Sequence, residues 1–248
     1  MKTILVSNRK GGVGKSTTAI NLAANIGQNG HTVLLIDLDT QSHLQFGLGF
    51  KKRFKKGVHN VLQDGNLQGI IQKTSFSNLF FIPADINYDT SKLTCGIDTL
   101  KNILKSIKKA YDFDFCIIDT PPTSDNILNN AMYASNYVIV PMQTEYLGYV
   151  GALQFLKLFY GTASQLNAKF TFLGVVPTLF SKSIKEHNEI IDKLKEKLGK
   201  NRVLIPIRKD FKLSQSFSEG KPISYFDKRC RGSKDYEQLA KTVLKRTL

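Results

Sequence analysis

Two lysines on either side of a glycine-rich turn are the first residues in this sequence whose types and spacing could do chemistry. They are Lys10 and Lys15, within the stretch NRKGGVGKST at residues 8–17. Glycines let backbone N–H groups converge on phosphate oxygens, and a lysine that follows them can neutralise phosphate charge. The stretch therefore predicts a phosphate-binding loop, which needs one lysine and leaves the second unexplained.

The residues around this turn supply the context that phosphate binding requires. An apolar run at 3–7 predicts a strand, and the amphipathic run after Lys15 predicts a helix whose positive dipole end faces the phosphates. We expect Lys15 to reach the β- and γ-phosphates and the Ser16 hydroxyl to hold Mg²⁺. The residues expected to bind the nucleotide in this loop are Lys10, Gly11, Gly12, Val13, Gly14, Lys15, Ser16 and Thr17.

Three aspartates at the ends of apolar runs are candidate partners of this loop. Asp37 and Asp39 end the run VLLIDLD, and residues two apart on a strand share one face. Asp119 ends the run FDFCIID. The carboxyl ends of parallel strands meet at the edge where open α/β sheets bind ligands, so these carboxylates are expected near the phosphates. The alternative for Asp37 and Asp39 is that they cap the end of a strand.

Short apolar runs alternate with helical patterns along the chain, and this alternation predicts the fold class. The runs lack polar alternation, as is typical of strands buried on both faces. We expect an α/β fold with a doubly wound, mostly parallel sheet of about seven strands and helices on both faces. One domain over 1–248 is expected, with no separate N-terminal DNA-reading domain. The predicted strands lie at 3–7, 32–37, 79–83, 115–119, 137–141, 172–176 and 203–207.

Composition argues against several classes of protein. The 248 residues are 42% hydrophobic, which suits a globular domain, and no apolar stretch reaches the ~18 residues of a membrane-spanning helix. The N-terminus has no signal-peptide pattern, so we expect a cytoplasmic protein. The cysteines are far apart and odd in number, which predicts neither a disulfide nor a metal site. They are Cys95, Cys116 and Cys230.

The positive charge is unevenly distributed along the chain. Of a net charge of +15, residues 181–248 carry +9, the run KKRFKK at 51–56 carries +5, and the remainder carries +1. Such clusters indicate an anionic partner, either nucleic acid or a lipid surface, with a solvated basic surface as the alternative. For KKRFKK, contact with DNA and a solvated loop stay equally open. The candidate DNA-binding residues are Lys182, Lys185, Arg208, Lys209 and Lys212.

The loop KGGVGKS departs from the usual phosphate-loop pattern G-x-x-x-x-G-K-[ST], because Arg9 stands at the first glycine position. In this respect it resembles the deviant Walker A loop of the ParA/MinD family of P-loop ATPases. The resemblance implies an ATP-dependent homodimer in which Lys15 serves its own nucleotide and Lys10 reaches the partner subunit's nucleotide. A second cation in a closed interface would neutralise charge on the phosphoryl group that is transferred.

Further motifs extend the resemblance to carboxylates and to the nucleotide base. VLLIDLDTQ resembles the family motif D-x-D-P-Q, which implies that Asp39 orients the attacking water and that Asp37 helps to hold Mg²⁺. FDFCIID resembles a Walker B strand, with Asp119 near Mg²⁺ through water. VPMQTEYLGYVG resembles the segment through which Glu145 would contact the partner's nucleotide. Adenine contacts are expected around Pro177, Thr178 and Pro206.

The C-terminal segment LSQSFSEGKPISYFDKRCRGSKDYEQLAKTVL at 213–244 resembles the end of Soj-type partition ATPases. This resemblance implies a dimer that binds DNA without sequence preference when ATP is bound, and so associates with the nucleoid. Slow hydrolysis, stimulated by a ParB-type centromere-binding protein, would release the DNA and serve plasmid or chromosome partition.

Two alternative functions stay open at this stage. The first is a MinD-like ATPase that cycles on and off a membrane through its last helix; we favour packing of that helix on the sheet. The second is a nucleotide-gated DNA-binding protein with negligible turnover. The apolar stripe of the last helix consists of Tyr236, Leu239, Ala240, Val243 and Leu244.

Overall fold

A seven-stranded sheet organises the computed structural model, which describes residues 1–52, 54, 56–89, 93–123 and 126–248. The strands are β1 (Lys2–Val6), β2 (Val33–Asp37), β3 (Gln72–Lys73), β4 (Leu79–Ile82), β5 (Phe115–Asp119), β6 (Tyr137–Gln143) and β7 (Thr171–Thr178). Their order in the sheet is β3-β4-β2-β5-β1-β6-β7, and every neighbouring pair is parallel except β3 with β4. The predicted doubly wound, mostly parallel sheet is confirmed.

Helices cover both faces of this sheet. They are α1 (Lys15–Gln28), α2 (His43–Gly47), α3 (Val58–Asp64), α4 (Thr99–Ala110), α5 (Asn126–Ala134), α6 (Tyr146–Gln165), α7 (Lys185–Leu198), α8 (Phe211–Ser218), α9 (Ile223–Phe226) and α10 (Arg231–Thr247). One apolar core lies between the sheet and helices α1 and α10, and the other lies between the sheet and helices α4 to α7. All residues of β2 and β5 are buried, because the sheet is covered on both faces.

The predicted strand at 203–207 is wrong. Leu204 N donates to Val175 O and Ile207 N donates to Pro177 O, both at 2.8 Å, so the segment runs beside β7 with only scattered hydrogen bonds. Pro206 lies between the two donors and has no N–H, which interrupts a regular ladder. The seventh strand is instead β3 at the opposite edge, and its two residues are too few to produce a periodic signal.

The three central strands bring the predicted site residues to one edge. In the registers of β2 and β1 against β5, Asp119 pairs with Asp37 on one side and with Val6 on the other. Val6 is the last residue of β1, and the glycine-rich turn begins two residues later. The loop and both strand-end aspartates therefore lie side by side at the carboxyl edge, as the sequence predicts.

The last helix, α10, packs on one face of the sheet beside α1. The apolar stripe of α10 is buried, with Tyr236 at 1% and Leu239 at 0% exposure, and the Tyr236 hydroxyl lies 3.3 Å from the Thr18 hydroxyl of α1. Near the helix end, an Arg246 N–H group donates to Leu173 O at 3.0 Å and to Asn201 O at 2.7 Å. This packing is the one that the sequence analysis favours. Among the described residues, no helix has both the length and the apolarity needed to cross a membrane.

We expect Leu239→Ala to destabilise the protein by roughly 2–5 kcal/mol, because it leaves a cavity between α10 and α1. Urea unfolding of the variant checks this, and Leu248→Ala, at a leucine that is 73% exposed, is the matched control. An unchanged free energy of unfolding in Leu239→Ala would show that α10 is only loosely attached.

Candidate nucleotide site

The glycine-rich loop leaves the N-terminus of α1 open to a ligand. Gly12 and Gly14 have φ angles of 71° and 85°, a left-handed conformation that glycine adopts without strain. Gly14 precedes the first residue of α1, and no side chain caps that helix end. The first N–H groups of the helix are therefore available to phosphate oxygens, as a phosphate-binding loop requires.

Side chains from the ends of β6 and β7 hold the loop in place. The Thr178 hydroxyl lies 2.9 Å from Val13 O and 3.0 Å from Met142 O, and it donates its one proton between these carbonyls. Asn8 donates to Pro141 O at 2.8 Å. The sequence analysis placed Thr178 near adenine; its role in supporting the loop depends on tertiary contacts that no local pattern shows.

Lys15 extends from the start of α1 into the interior of the site. Its residue is only 7% exposed, and its ammonium lies 3.4 Å from Lys10 O. Burial lowers the pKa of Lys15, while the nearby Asp119 and Asp39 carboxylates raise it. One ammonium beside two carboxylates leaves a net negative charge, so a phosphate anion would bind here together with a metal cation.

Asp119 is a buried carboxylate without a conventional partner. Within the described part of the chain, neither of its oxygens has a hydrogen-bond partner, and the residue is 0% exposed. Burial raises the pKa of Asp119, while the proximity of the Ser16 hydroxyl and of the Lys15 ammonium lowers it. A carboxylate and a hydroxyl are the oxygen donors that Mg²⁺ takes alongside phosphate and water. Ser16 and Asp119 therefore fit Mg²⁺, which would supply positive charge at the phosphates.

Asp37 forms the turn that follows β2. Its Oδ1 accepts from Asp39 N at 3.0 Å and its Oδ2 accepts from Leu44 N at 3.3 Å. The side chain is entirely buried, and burial together with Asp119 raises the pKa of Asp37. These contacts give Asp37 the strand-end role that the sequence left as the alternative, and its support of the metal stays a prediction.

Asp39 lies beyond this turn and faces Lys15. Its Oδ1 accepts from Gln41 N at 3.0 Å, and the residue is 8% exposed. The site therefore brings together Lys15, Asp39 and Asp119, whose charges act on one another.

Lys10 and Glu145 form an ion pair within one chain. Lys10 Nζ lies 2.7 Å from Glu145 Oε1, and the two side chains are 35% and 50% exposed. The resemblance assigned both residues to the partner's nucleotide, and no sequence pattern indicates that they contact each other. Pro206, expected near the base, lies in the irregular segment beside β7 and is half-buried.

The candidate DNA-binding residues differ in their surroundings. Arg208 is held by the buried Asp235, with Nη2 2.7 Å from Oδ1 and Nε 3.0 Å from Oδ2, and Lys212 is paired with Asp227. Lys185 is 92% exposed and lies 3.7 Å from Glu189 on the same helix. Arg208 therefore binds Asp235 and links its own segment to α10.

Lys182 and Lys209 are the two exposed candidates without such a partner. Within 1–52, 54, 56–89, 93–123 and 126–248, no acidic side chain lies within ion-pair distance of either ammonium. In the run KKRFKK, Lys51, Lys52 and Lys56 are exposed, whereas Arg53 and Lys55 lie outside the described residues.

This combination of a glycine-rich loop, a buried lysine and a buried aspartate at the end of the neighbouring strand defines a P-loop nucleotide-binding protein. A family model described as an AAA domain matches residues 1–172. A chromosome-partitioning ATPase, Soj, of Treponema pallidum is 34% identical over 99% of this chain and 98% of its own length. The chain belongs to the ParA/Soj family of P-loop ATPases, as the sequence motifs predict.

Solved structures of similar chains share the fold while their names differ. McdA of Cyanothece has a TM-score of 0.86 at 26% identity, over 98% of this chain and 99% of that chain. A plasmid partition protein of Borrelia burgdorferi bound to AMPPNP has a TM-score of 0.83 at 30% identity, with 99% of both chains covered.

A third structure contains both a nucleotide and a metal. A cobyrinic acid a,c-diamide synthase of Mycobacterium smegmatis, with an ATP analogue and magnesium, has a TM-score of 0.84 at 28% identity over 99% of this chain and 95% of that chain. The present chain is an ATPase whose cofactors are ATP and Mg²⁺.

The two loop lysines are expected to fail differently when replaced. Lys15→Ala should weaken ATP binding by roughly 10- to 100-fold, because a charge-assisted contact to the phosphates is lost. Lys10→Ala should bind ATP as the parent does, since its ammonium lies on Glu145 and outside the interior of the site. Titration calorimetry with a non-hydrolysable ATP analogue measures both affinities. Equal losses in the two variants would contradict the separate roles.

Proposed function

We propose that this chain is a partition ATPase that forms an ATP-dependent sandwich homodimer, binds DNA without sequence preference and releases it on hydrolysis. A ParB-type centromere-binding partner would stimulate that hydrolysis. The observation that carries the proposal is the position of Lys10: it stands in a nucleotide loop, yet its ammonium pairs with the exposed Glu145 at 2.7 Å. The name of the Treponema pallidum relative supports the same function.

In the proposed reaction each side chain acts on a different part of the phosphate. Lys15 would neutralise the β- and γ-phosphates of its own nucleotide, and Asp39 would orient the water that attacks the γ-phosphorus. Lys10 from the other subunit, with Glu145, would complete the site on dimer formation and stabilise charge on the leaving group. Hydrolysis would then depend on the dimer, which couples turnover to release.

The distribution of charge supports a nucleic acid as the anionic partner. Residues 181–248 carry a net +9, and this segment contains Lys182 and Lys209, which have no acidic partner among the described residues. Two subunits would present these cations together, and linked weak contacts add avidity because the second becomes intramolecular. We propose that the ATP-bound form associates with the nucleoid and that the protein is otherwise cytoplasmic.

The membrane-cycling alternative has less support. It requires the apolar face of the last helix to meet lipid, and in the structure that face is buried against α1. The remaining alternative, a DNA-binding protein with negligible turnover, differs from our proposal only in hydrolysis.

Asp39→Ala should bind ATP and form the dimer but turn over at least about 100-fold more slowly, because water loses its orienting carboxylate while the phosphate loop stays intact. Phosphate release measures the turnover, and gel filtration with ATP measures formation of the dimer, which itself requires bound ATP. The control is Asp64→Ala, at an exposed aspartate that ends α3. A variant that cannot bind ATP would show that Asp39 maintains the site itself.

DNA binding should require ATP, ignore sequence and fall steeply with salt. Each contact between a cation and a phosphate contributes about −0.9 to the log–log salt slope, so three cations per subunit predict a dimer slope near −5. Reversing the charge of Lys182 and Lys209 together should reduce the slope to about −2 and weaken all duplexes equally. Fluorescence anisotropy with two unrelated duplexes, with ATP and with ADP, measures this.

The matched control reverses Lys195 and Lys241, which changes the charge by the same amount at lysines already paired with Asp192 and Glu237 on their own helices. It should keep the parent slope. Binding that is equal with ATP and ADP, or that prefers one duplex strongly, would contradict the proposed function, and capture by anionic liposomes would favour the membrane alternative.

A further inference from the structure

A fully buried histidine joins two segments behind the nucleotide site. His59, the second residue of α3, is 0% exposed, and its ring stacks on Tyr88 with 5.3 Å between centroids. Asp85 N lies 3.2 Å from Nδ1, and Leu38 O lies 3.3 Å from Nε2. A backbone N–H can only donate, so Nδ1 accepts, Nε2 carries the proton, and this N–H donates to Leu38 O.

Close packing fixes where this histidine stands. Val58 N donates to Pro83 O at 2.7 Å, which ties the start of α3 to the segment after β4. Gly57 makes the approach possible, because a Cβ there would lie 2.2 Å from the backbone of Ala84 and Asp85. The packing of α3 against this segment therefore fixes the position of the imidazole.

Leu38, the acceptor, is the residue between the two aspartates of the site. Its N–H donates to Asp119 O at 3.0 Å, and its carbonyl receives the His59 proton. The next N–H, that of Asp39, donates to the Asp37 carboxylate at 3.0 Å. The peptide group between Leu38 and Asp39 is therefore held at both ends. His59 donates a hydrogen bond to its oxygen, and its N–H group donates to the Asp37 carboxylate.

We propose that His59 is a positioning residue for ATP hydrolysis, which fixes the peptide between Leu38 and Asp39 and so sets the direction of the Asp39 carboxylate. This inference rests on the proposed role of Asp39 as the group that orients water. His59 is fully buried, and its proposed action is through the backbone carbonyl of Leu38. A small error in the direction of a water-orienting carboxylate reduces the rate of the chemical step and leaves the phosphate contacts unchanged.

Two amide variants separate the hydrogen bond to Leu38 O from the hydrogen bond that Asp85 N donates. His59→Gln places an amide N–H where Nε2 stands and can keep the bond to Leu38 O. His59→Asn places an amide oxygen where Nδ1 stands and can keep only the bond from Asp85 N. We expect kcat within about threefold of the parent for His59→Gln and a fall of roughly 10- to 100-fold for His59→Asn, with unchanged KM and ATP affinity in both. Phosphate release by the full-length protein with saturating Mg-ATP is measured, and urea unfolding of each variant is measured alongside it.

A merely structural role predicts a different outcome, because kcat would then follow the loss of stability in both variants. Equal falls in kcat for His59→Gln and His59→Asn overturn the inference, as does a fall in His59→Gln alone. If His59→Asn does not fold, His59→Gln decides: a retained kcat supports positioning through Leu38, and a lost kcat overturns it.

The double variant tests the link to Asp39. Once Asp39→Ala has removed the carboxylate, His59→Asn should lower kcat no further, and an additional fall of tenfold would overturn the inference. If Asp39→Ala hydrolyses ATP as the parent does, the proposed function of Asp39 has failed, which is a different result from equal losses in the two His59 variants.

Discussion

The carboxylate of Asp119, buried at the end of the central strand, is the constraint on which the rest of the site depends. An ionised carboxylate is costly to bury, and burial raises the pKa of Asp119 to about 7, so the surrounding structure must supply compensating charge if this group is to stay ionised. Lys15 supplies part of it, and the Ser16 hydroxyl contributes through its dipole. The remaining positive charge fits a divalent cation. A metal ion bound to phosphate at this position would neutralise charge on both the carboxylate and the nucleotide.

The order of the strands follows from the same requirement. Because β5 lies between β1 and β2, the loop after β1 and the turn after β2 both lie against Asp119. The turn after β2 holds Asp37 and Asp39 close to this carboxylate although the like charges repel one another. Two backbone N–H groups donate to the Asp37 oxygens, and the Lys15 ammonium lies near Asp39, so both contacts offset part of the repulsion. The covered sheet thus supports a concentration of charge that an exposed turn would not hold in place.

The sequence predicts those parts of the structure that short-range patterns determine. The strand, glycine turn and helix around Lys15 are local, as are the apolar runs that end at Asp37 and Asp119, and all lie where expected. The prediction of a strand at 203–207 is wrong because it rests on apolar composition alone. Composition does not show that Pro206 interrupts the hydrogen bonds between this segment and β7. Contacts between distant segments, such as Thr178 with the loop or His59 with Leu38, depend on tertiary packing and leave no local signal.

The ion pair between Lys10 and Glu145 bears on the proposed dimer. Both side chains are more than a third exposed, and such a surface pair contributes only about 0–1 kcal/mol to the free energy of folding. That is small beside the free energy of a stable dimer, so the pair would not prevent assembly. In the proposed dimer both groups would exchange this contact for the neighbouring nucleotide, and a weak pair within the chain is the arrangement that makes such an exchange reversible.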